Sequence, residues 1–337
     1  MKKLIVLLTA VLVAATAGCG GGSSLFTYVA RSNSDSTPHL FTVHGTKGTP
    51  EAVSINIPQD AAFVSANRDG NKVTYCHNTD STYEIFVMGT DSAEKQLTTG
   101  ADACESVFSP DGKTIAYVSA SGGEPSIFTM NVDGTNQKQL YVAPVNTLEQ
   151  LLPEFSPDGK SLLFFVELNN GFIVGPTPAR PLSTQAHGWP AAQVNQRKIV
   201  PHGTVQPPPG TPTVSGWYTM KLTDSHPTLV FTPQSWWGPA VYSADSTKIL
   251  FTDYDGTEWN IFSVKLDGTG VTPLTTSTTT AVFSPVAYKE HILFNQYNSD
   301  TQSFDIYVMD QNGTNQTLVH TTANTYETLI DTYYSLD

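Results

Sequence analysis

Three carboxylates occupy equivalent places in copies of a sequence repeat. Asp60, Glu105 and Asp331 each precede a recurring aromatic residue by three positions. If the copies that carry them are neighbours, the side chains form an acidic arc. Like charges held close together raise one another's pKa, and such an arc would attract a cation or a basic side chain. The alternative interpretation is three separate, solvated loop acids.

A second group of charged residues is basic. Residues 172–215 are rich in proline and carry Arg180, Arg197 and Lys198 but no Asp or Glu. Loops this long are usually functional or disordered. One interpretation is a lid whose basic side chains neutralise the acidic arc, and the other is a disordered insertion.

Trp236 and Trp237 are adjacent just before a predicted strand. Two exposed indole rings at such a junction would form a stacking platform for a sugar or an aromatic side chain. In the alternative, one ring of the pair packs between structural elements.

Signals for catalysis are weak. The sequence contains no Gly-x-Ser-x-Gly elbow, no His-Glu-x-x-His pair and no phosphate-binding loop. Its eight histidines are scattered, and no two stand at a metal-binding spacing. We therefore predict a protein without catalytic residues, metal site or cofactor.

The element that positions these residues is clearest at residues 108–118, which read Phe-Ser-Pro-Asp-Gly-Lys-Thr-Ile-Ala-Tyr-Val. The Ser-Pro-Asp-Gly stretch has the composition of a type I turn, and the alternation after it predicts a half-buried strand. A second alternating run at 126–130 leads into an Asp-Gly hairpin signal at 133–134. One copy of the repeat therefore predicts a four-stranded antiparallel sheet, the size of one propeller blade.

The repeat returns along the chain at intervals of 45, 47, 87, 41 and 51 residues. Its aromatic positions are Phe63, Phe108, Phe155, Tyr242, Phe283 and Tyr334. A period in the forties is typical of a propeller. The chain ends just after a predicted first strand and begins, at Leu25, with a predicted second strand. We therefore predict an all-β, six-bladed β-propeller over residues 25–337, with a last blade closed by one C-terminal and three N-terminal strands.

This topology places Cys76 and Cys104 near the same rim of the ring. Apart from Cys19 they are the only cysteines in the chain. A disulfide is one interpretation, since oxidising compartments favour it. Two buried thiols are the other.

Residues 1–18 have the features of a lipoprotein signal peptide. Lys2 and Lys3 precede an apolar run that is too short to span a bilayer. Residues 16–19, Thr-Ala-Gly-Cys, resemble a lipobox, although Thr16 stands where bacterial lipoproteins usually carry leucine. The sequence thus predicts acylation of Cys19 and a flexible Gly/Ser tether over 19–24. An ordinary secretory signal cleaved nearby is the alternative, and both place the protein outside the cytoplasm.

Charge excludes some partners. The formal net charge is −13, and loss of Lys2 and Lys3 with the signal peptide would take it to −15. A net negative charge of this size argues against binding to nucleic acid and against electrostatic docking on anionic lipid. Contact with a membrane is therefore expected only through the lipid anchor.

The motif of residues 108–117, together with Ile-Phe-x-Met at 127–130 and Asp-Gly-Thr-Asn at 133–136, strongly resembles the TolB-like β-propeller repeat, a WD40-like blade. The resemblance implies a six-bladed propeller. Family members include periplasmic components of the Tol-Pal envelope system that bind a peptidoglycan-associated lipoprotein. The N-terminal α/β domain of TolB itself is not expected here, and neither is the hydrolase domain that follows some related propellers. Related oligogalacturonate lyases use a histidine-rich metal site, which has no counterpart that can be assigned in this sequence.

The sequence as a whole favours a non-enzymatic, membrane-tethered propeller that binds an envelope protein or cell-wall ligand at one end of the ring. The alternatives are a carbohydrate-binding or carbohydrate-degrading propeller, and a structural domain of an envelope assembly.

The lipid anchor is testable by substitution. Cys19→Ala removes the acylated thiol, so we expect the protein to move from the membrane fraction to the soluble extracytoplasmic fraction. Ser23→Ala in the same tether serves as the matched control and should remain with membranes. If Cys19→Ala stays with the membranes, the protein is held there by something other than this cysteine.

Overall fold

The computed structural model describes residues 25–32, 39–44, 50–79, 82–91, 93–144, 147, 151–168, 212, 214–234, 240–300, 303–321 and 325–329. All regular structure in these residues is β-strand. No helix in this part of the chain is long and apolar enough to cross a bilayer.

The strands form six blades of four in a ring, and hydrogen bonds join the last two blades into one eight-stranded sheet. The chain begins with three strands of the last blade, β1 (Leu25–Ser32), β2 (His39–His44) and β3 (Glu51–Ala52). Blade one comprises β4 (Ala62–Ala66), β5 (Lys72–Thr79), β6 (Thr82–Gly89) and β7 (Glu94–Gln96). Blade two comprises β8 (Ala103–Phe108), β9 (Thr114–Ser119), β10 (Ser126–Asn131) and β11 (Lys138–Val142).

The remaining blades follow the same order, with the first strand innermost. Blade three comprises β12 (Glu154–Phe155), β13 (Ser161–Val166), β14 (Gly216–Lys221) and β15 (Thr228–Phe231). Blade four comprises β16 (Val241–Tyr242), β17 (Lys248–Tyr254), β18 (Trp259–Lys265) and β19 (Thr272–Pro273). Blade five comprises β20 (Val282–Tyr288), β21 (His291–Asn298), β22 (Ser303–Asp310) and β23 (Thr317–His320), and the last strand is β24 (Thr325–Leu329). The predicted all-β, six-bladed propeller is confirmed.

Blade six joins the two ends of the chain. Its strand order is β24-β1-β2-β3, so a C-terminal strand is innermost and three N-terminal strands follow, as predicted. β24 pairs with β1 in antiparallel register from Tyr28 opposite Leu329 to Ser32 opposite Thr325. Within the described residues the closing strand spans Thr325–Leu329, and Tyr334, which the repeat spacing places in this strand, lies outside them.

Each blade carries one stacked aromatic pair between its second and third strands. In all six blades the two rings belong to directly opposed residues, so the stack follows from the antiparallel register. Ring centroids lie 5.2 to 6.3 Å apart. The pairs are Tyr28–Phe41, Tyr75–Phe86, Tyr117–Phe128, Phe164–Tyr218, Phe251–Phe262 and Phe294–Tyr307. These rings, which are buried or partly buried, and the aliphatic residues around them fill the spaces between blades.

A bulge in the innermost strand corrects two repeat assignments. Phe63, Glu105 and Ser284 each sit at a register shift and have φ of +49°, +54° and +50°. Phe63 is therefore the structural equivalent of Glu105, and the turn of blade one starts at Asn67. Phe283, just before the third bulge, likewise lies well ahead of its hairpin, which turns between Tyr288 and His291. The predicted equivalence of Asp60 with Glu105 was wrong, because the bulge and the altered turns hid the true register.

The hairpins between first and second strands are held by their own side chains. In blade two, Ser109 Oγ donates to Asp111 Oδ1 at 2.6 Å and accepts the Thr114 N–H at 2.9 Å. Blades three and four repeat this arrangement at their own Ser-x-Asp turns. The glycine at the turn exit, Gly112, has φ of +66° in open space, which explains why this position favours glycine. These turns define what we call the lower end of the ring.

Ring closure is testable by truncation. Deleting residues 325–337 removes β24, so β1 loses its inner partner and exposes a sheet edge beside the core. We expect aggregation or a loss of about 3 kcal/mol or more in the free energy of unfolding measured in urea.

Deletion of residues 330–337 is the matched control, since it leaves β24 intact. Its free energy of unfolding should lie closer to that of the full chain than the value for the longer deletion does. Equal destabilisation by the two deletions would contradict closure by residues 325–329.

Candidate functional site

The end of the ring opposite the lower hairpins is irregular. We call it the upper face, meaning the loops between second and third strands together with the connections from one blade to the next. Of the residues singled out in the sequence, Asp60, Glu105, Cys76 and Cys104 are described by the structure. The others, Cys19, Arg180, Arg197, Lys198, Trp236, Trp237 and Asp331, lie outside the described residues.

Cys76 and Cys104 meet between blades one and two. The structure joins them in a disulfide, with Cα atoms 5.2 Å apart, within the usual range for such a bond. Both residues are buried, at 0% and 1% exposure. Cys76 belongs to β5 and Cys104 to the innermost strand of the next blade, so the bond links two neighbouring blades close to the upper face.

Asp60 lies in the connection from blade six to blade one, and its side chain is 66% exposed. Its Oδ2 is 3.6 Å from Nδ1 of His77, and His77 Nε2 is 3.9 Å from Oε1 of Glu94. The Tyr75 hydroxyl donates to the same Glu94 oxygen, and burial together with this contact raises the pKa of the Tyr75 hydroxyl. His77 packs on Phe86 with ring centroids 4.1 Å apart. Asp60 is thus the exposed end of a chain of titratable groups on blade one.

Glu105 is buried, with 3% of its surface exposed. Its Oε2 accepts the backbone N–H groups of Leu151 and Leu152, at 3.0 and 2.7 Å, from the connection that enters blade three. A carboxylate that accepts two buried N–H groups ties adjacent blades together. Asp60 and Glu105 therefore have different partners, and the described part of the predicted arc consists of one exposed acid and one buried inter-blade contact.

Asp102 lies in the connection between blades one and two, next to this contact in the chain. Burial raises the pKa of its carboxyl above the ordinary value. The Tyr83 N–H, 3.5 Å from Oδ1, works in the opposite direction, and the charge of Glu84 adds to the increase. The ionised form of Asp102 is therefore destabilised, which favours a positive charge beside it.

Three buried polar residues that the sequence interpretation did not single out hold the outer strands in place. Glu84, Asn260 and Asp305 occupy the same position in the third strands of blades one, four and five. Each accepts a hydroxyl hydrogen bond from a threonine that follows the fourth strand, and the three threonines are Thr98, Thr275 and Thr321. The signal was present in the sequence, because a Thr-Thr pair ends all three of these blades. These contacts stabilise the fold by tying the segment after each fourth strand to the third strand.

Within the described ranges, no group of three or more His, Cys, Asp or Glu side chains is arranged to hold a metal ion. The acids of the upper face instead lie in loops of different blades.

A ring of six four-stranded antiparallel blades, closed by strands from both ends of the chain, defines a β-propeller. Residues 24–184 match the model of the TolB beta propeller domain family. The resemblance to TolB-like repeats that the Phe-Ser-Pro-Asp-Gly motifs indicate is therefore confirmed over residues 24–184.

One curated protein is similar in sequence to part of the chain. A curated relative, the uncharacterized protein Atu1656 of Agrobacterium fabrum, is 28% identical over 127 residues, which are 37% of this chain and 42% of that protein. The match thus spans less than half of the relative's length.

Solved structures are similar over most of the chain. TolB from Acinetobacter baumannii has a TM-score of 0.58 at 15% identity, covering 93% of this chain and 68% of that one. Putative TolB from Agrobacterium tumefaciens has a TM-score of 0.55 at 16% identity, covering 93% and 95%. An oligogalacturonate lyase in complex with manganese has a TM-score of 0.53 at 14% identity, covering 89% and 74%. At these identities the likeness shows the fold alone.

The role of Glu105 is testable by substitution. Glu105→Ala leaves two buried N–H groups without their acceptor, so we expect a loss of about 2 to 5 kcal/mol in the free energy of unfolding. Glu105→Gln keeps an acceptor oxygen of the same reach and should lose less. Both are measured by urea unfolding.

Asp60→Ala is the matched control, because Asp60 is exposed and should change stability by only about 0.5 kcal/mol. A Glu105→Ala protein that unfolds at the native urea concentration would contradict the inter-blade role.

Proposed function

We propose that this chain is an extracytoplasmic, membrane-tethered propeller that binds an envelope protein or cell-wall ligand through its upper face and performs no catalysis. A role like that of the Tol-Pal system is consistent with the proposal. The match to the TolB beta propeller domain supports a binding propeller. The signal segment and Cys19 support export and anchoring.

The observation that carries the proposal is the difference between the two ends of the ring. Lower hairpins are short, and several repeat the same internally bonded Ser-x-Asp turn. Upper connections differ from blade to blade, and the longest one joins Val166 at the end of β13 to Gly216 at the start of β14. A rigid scaffold that presents variable loops at one end is the usual arrangement of binding surfaces.

Geometry at the upper face also suits a macromolecule better than a small molecule. The described connections carry acids on separate blades, while the buried polar groups beneath them bond to backbone and threonine hydroxyls within the fold. A surface of this kind can make contacts spread over several loops, as protein interfaces do.

Site-specific photocrosslinking tests the proposal. Benzoylphenylalanine is placed at Thr257, an exposed position in the upper loop of blade four, in the full-length chain in its native membranes. We expect a defined envelope protein to crosslink there. The matched control is Val271, at the lower end of the same blade and 56% exposed, which should capture no such partner.

Equal capture from both positions would contradict a binding role for the upper face. The carbohydrate alternative is tested in parallel with purified protein and pectic oligosaccharides. Cleavage of these oligosaccharides would overturn the non-enzymatic proposal.

A further inference from the structure

The hairpin between β22 and β23 in blade five contains an Asn-Gly pair, Asn312–Gly313, the only such pair among the described residues. The Asn312 side chain is exposed to solvent. The Gly313 N–H donates to the Asp310 carbonyl at 2.9 Å, which closes the turn, and Gly313 has φ of +85°. In an Asn-Gly pair the side-chain amide lies next to a backbone nitrogen that no Cβ shields, because glycine has none.

Blades two and four have the same hairpin with an aspartate in place of the asparagine. In all three turns, the threonine two positions later donates both its backbone N–H and its hydroxyl to Oδ1 of this residue. The N–H distances lie between 2.9 and 3.1 Å and the hydroxyl distances between 2.6 and 2.7 Å. The three turns therefore share one geometry and differ in the charge of one side chain, which belongs to Asp133, Asp267 or Asn312.

The fold requires glycine after this position. A Cβ on Gly313 would lie 2.2 Å from the carbonyl oxygen of Leu274, which follows the fourth strand of blade four. Gly268, the equivalent residue of blade four, has the same relation to the carbonyl oxygen of Val230, also at 2.2 Å. Since the glycine cannot change, an asparagine in this turn always forms an Asn-Gly pair.

The hydrogen bonds of Asn312 favour attack on its own amide. When the Gly313 nitrogen attacks Asn312 Cγ, negative charge develops on Oδ1, where the Thr314 N–H and hydroxyl already donate. Two donors aimed at a developing oxyanion stabilise the transition state. The hydrogen bond from the Thr314 N–H also closes a ring of atoms that contains both reacting atoms, which limits their separation.

We propose that Asn312 is a site of spontaneous deamidation and that the turn accepts the aspartate product. The Gly313 nitrogen loses its proton and bonds to Asn312 Cγ, while the bond from Cγ to the amide nitrogen breaks and ammonia leaves. Water then opens the resulting cyclic imide. Cleavage between Cγ and the ring nitrogen gives aspartate, and cleavage on the other side of that nitrogen gives isoaspartate, whose main chain is one carbon longer.

Blades two and four show how the aspartate product would fit. Hydrogen bonds from the neighbouring threonine lower the pKa of the Asp133 and Asp267 carboxyls below the ordinary value. Hydrogen bonds to a carboxylate are stronger than those to a neutral amide. Isoaspartate would instead lengthen a turn whose span is set by the backbone hydrogen bonds of Gly313 and Thr314. The folded chain should therefore favour the aspartate product.

The test is incubation of the full chain in mildly alkaline buffer beside a synthetic peptide of residues 306–318. We expect peptide mapping by mass spectrometry to show exchange of amide for acid at Asn312. Asn315, in the same hairpin but followed by Gln316, is the internal control and should keep its amide. A protease that cuts before aspartate should release a new fragment that starts at residue 312. The ratio of aspartate to isoaspartate should be several-fold higher in the folded chain than in the peptide.

Two pairs of variants test the physical reasons. Thr314→Val removes the hydroxyl donor and should slow deamidation several-fold, whereas Thr317→Val removes a hydroxyl from the same hairpin and should not. Asn312→Asp should unfold at a urea concentration no lower than the native protein does at neutral pH. Asn315→Asp adds the same charge but replaces a side-chain amide that donates to Asp310 Oδ2 at 2.6 Å, so it should lower the urea midpoint.

Three results would contradict the proposal. They are a folded chain that keeps its amide at residue 312 while the peptide loses it, a product ratio equal to that of the peptide, and an Asn312→Asp protein destabilised as much as the Asn315→Asp protein. Unchanged deamidation in Thr314→Val would exclude the role of the hydroxyl donor. None of these outcomes depends on what the upper face binds, so the proposed function is tested separately.

Discussion

Backbone pairing between β24 and β1 is the constraint on which the rest of the structure depends. In an open stack of six blades, the first and last sheets would each expose an apolar face, and the innermost strand of one blade would be missing. A strand from residues 325–329 fills that place and pairs with β1 over five positions. Every inter-blade space is then bounded by two sheets, and the aromatic stacks can be buried throughout the ring. The positions of the loops at both ends of the ring therefore depend on this closure.

Much of this architecture could be predicted from the sequence, because the repeat encodes it locally. The Ser-Pro-Asp-Gly turn, the alternating strands and the spacing between copies identify blades two and three directly. The repeat is less evident in blades one and five, because their turns between first and second strands lack the Ser-Pro-Asp-Gly motif. The first uses Asn67, whose side chain accepts the Asn71 and Lys72 N–H groups in place of a serine, and the fifth turns between Tyr288 and His291. Because these turns have different residues, spacing alone points to Phe63 and Phe283 as the repeated aromatic residue, whereas the bulge places Phe63 at the position of Glu105.

The acids show why a candidate site is harder to predict than a fold. Glu105 sits in a bulge with φ of +54°, and its side chain accepts two backbone N–H groups from the next blade. Sequence spacing cannot distinguish such a carboxylate from a channel-lining one, since both precede the same aromatic residue. Asp60 has the opposite character, exposed and close to His77. Glu84 and Asp305 were missed because their threonine donors, Thr98 and Thr321, follow the fourth strand and meet these acids only in the folded blade.

Buried and exposed carboxylates have different roles in this protein. Buried carboxylates such as Glu84 and Glu105 are charged groups within an apolar interior, and they are retained because each has several N–H or hydroxyl donors. They hold the blades in register and leave no charge for a ligand. Exposed carboxylates such as Asp60 and Asp300 stand in upper connections and loops that the repeat does not specify. Neither core packing nor the repeat accounts for these exposed charges, whereas both account for the buried ones.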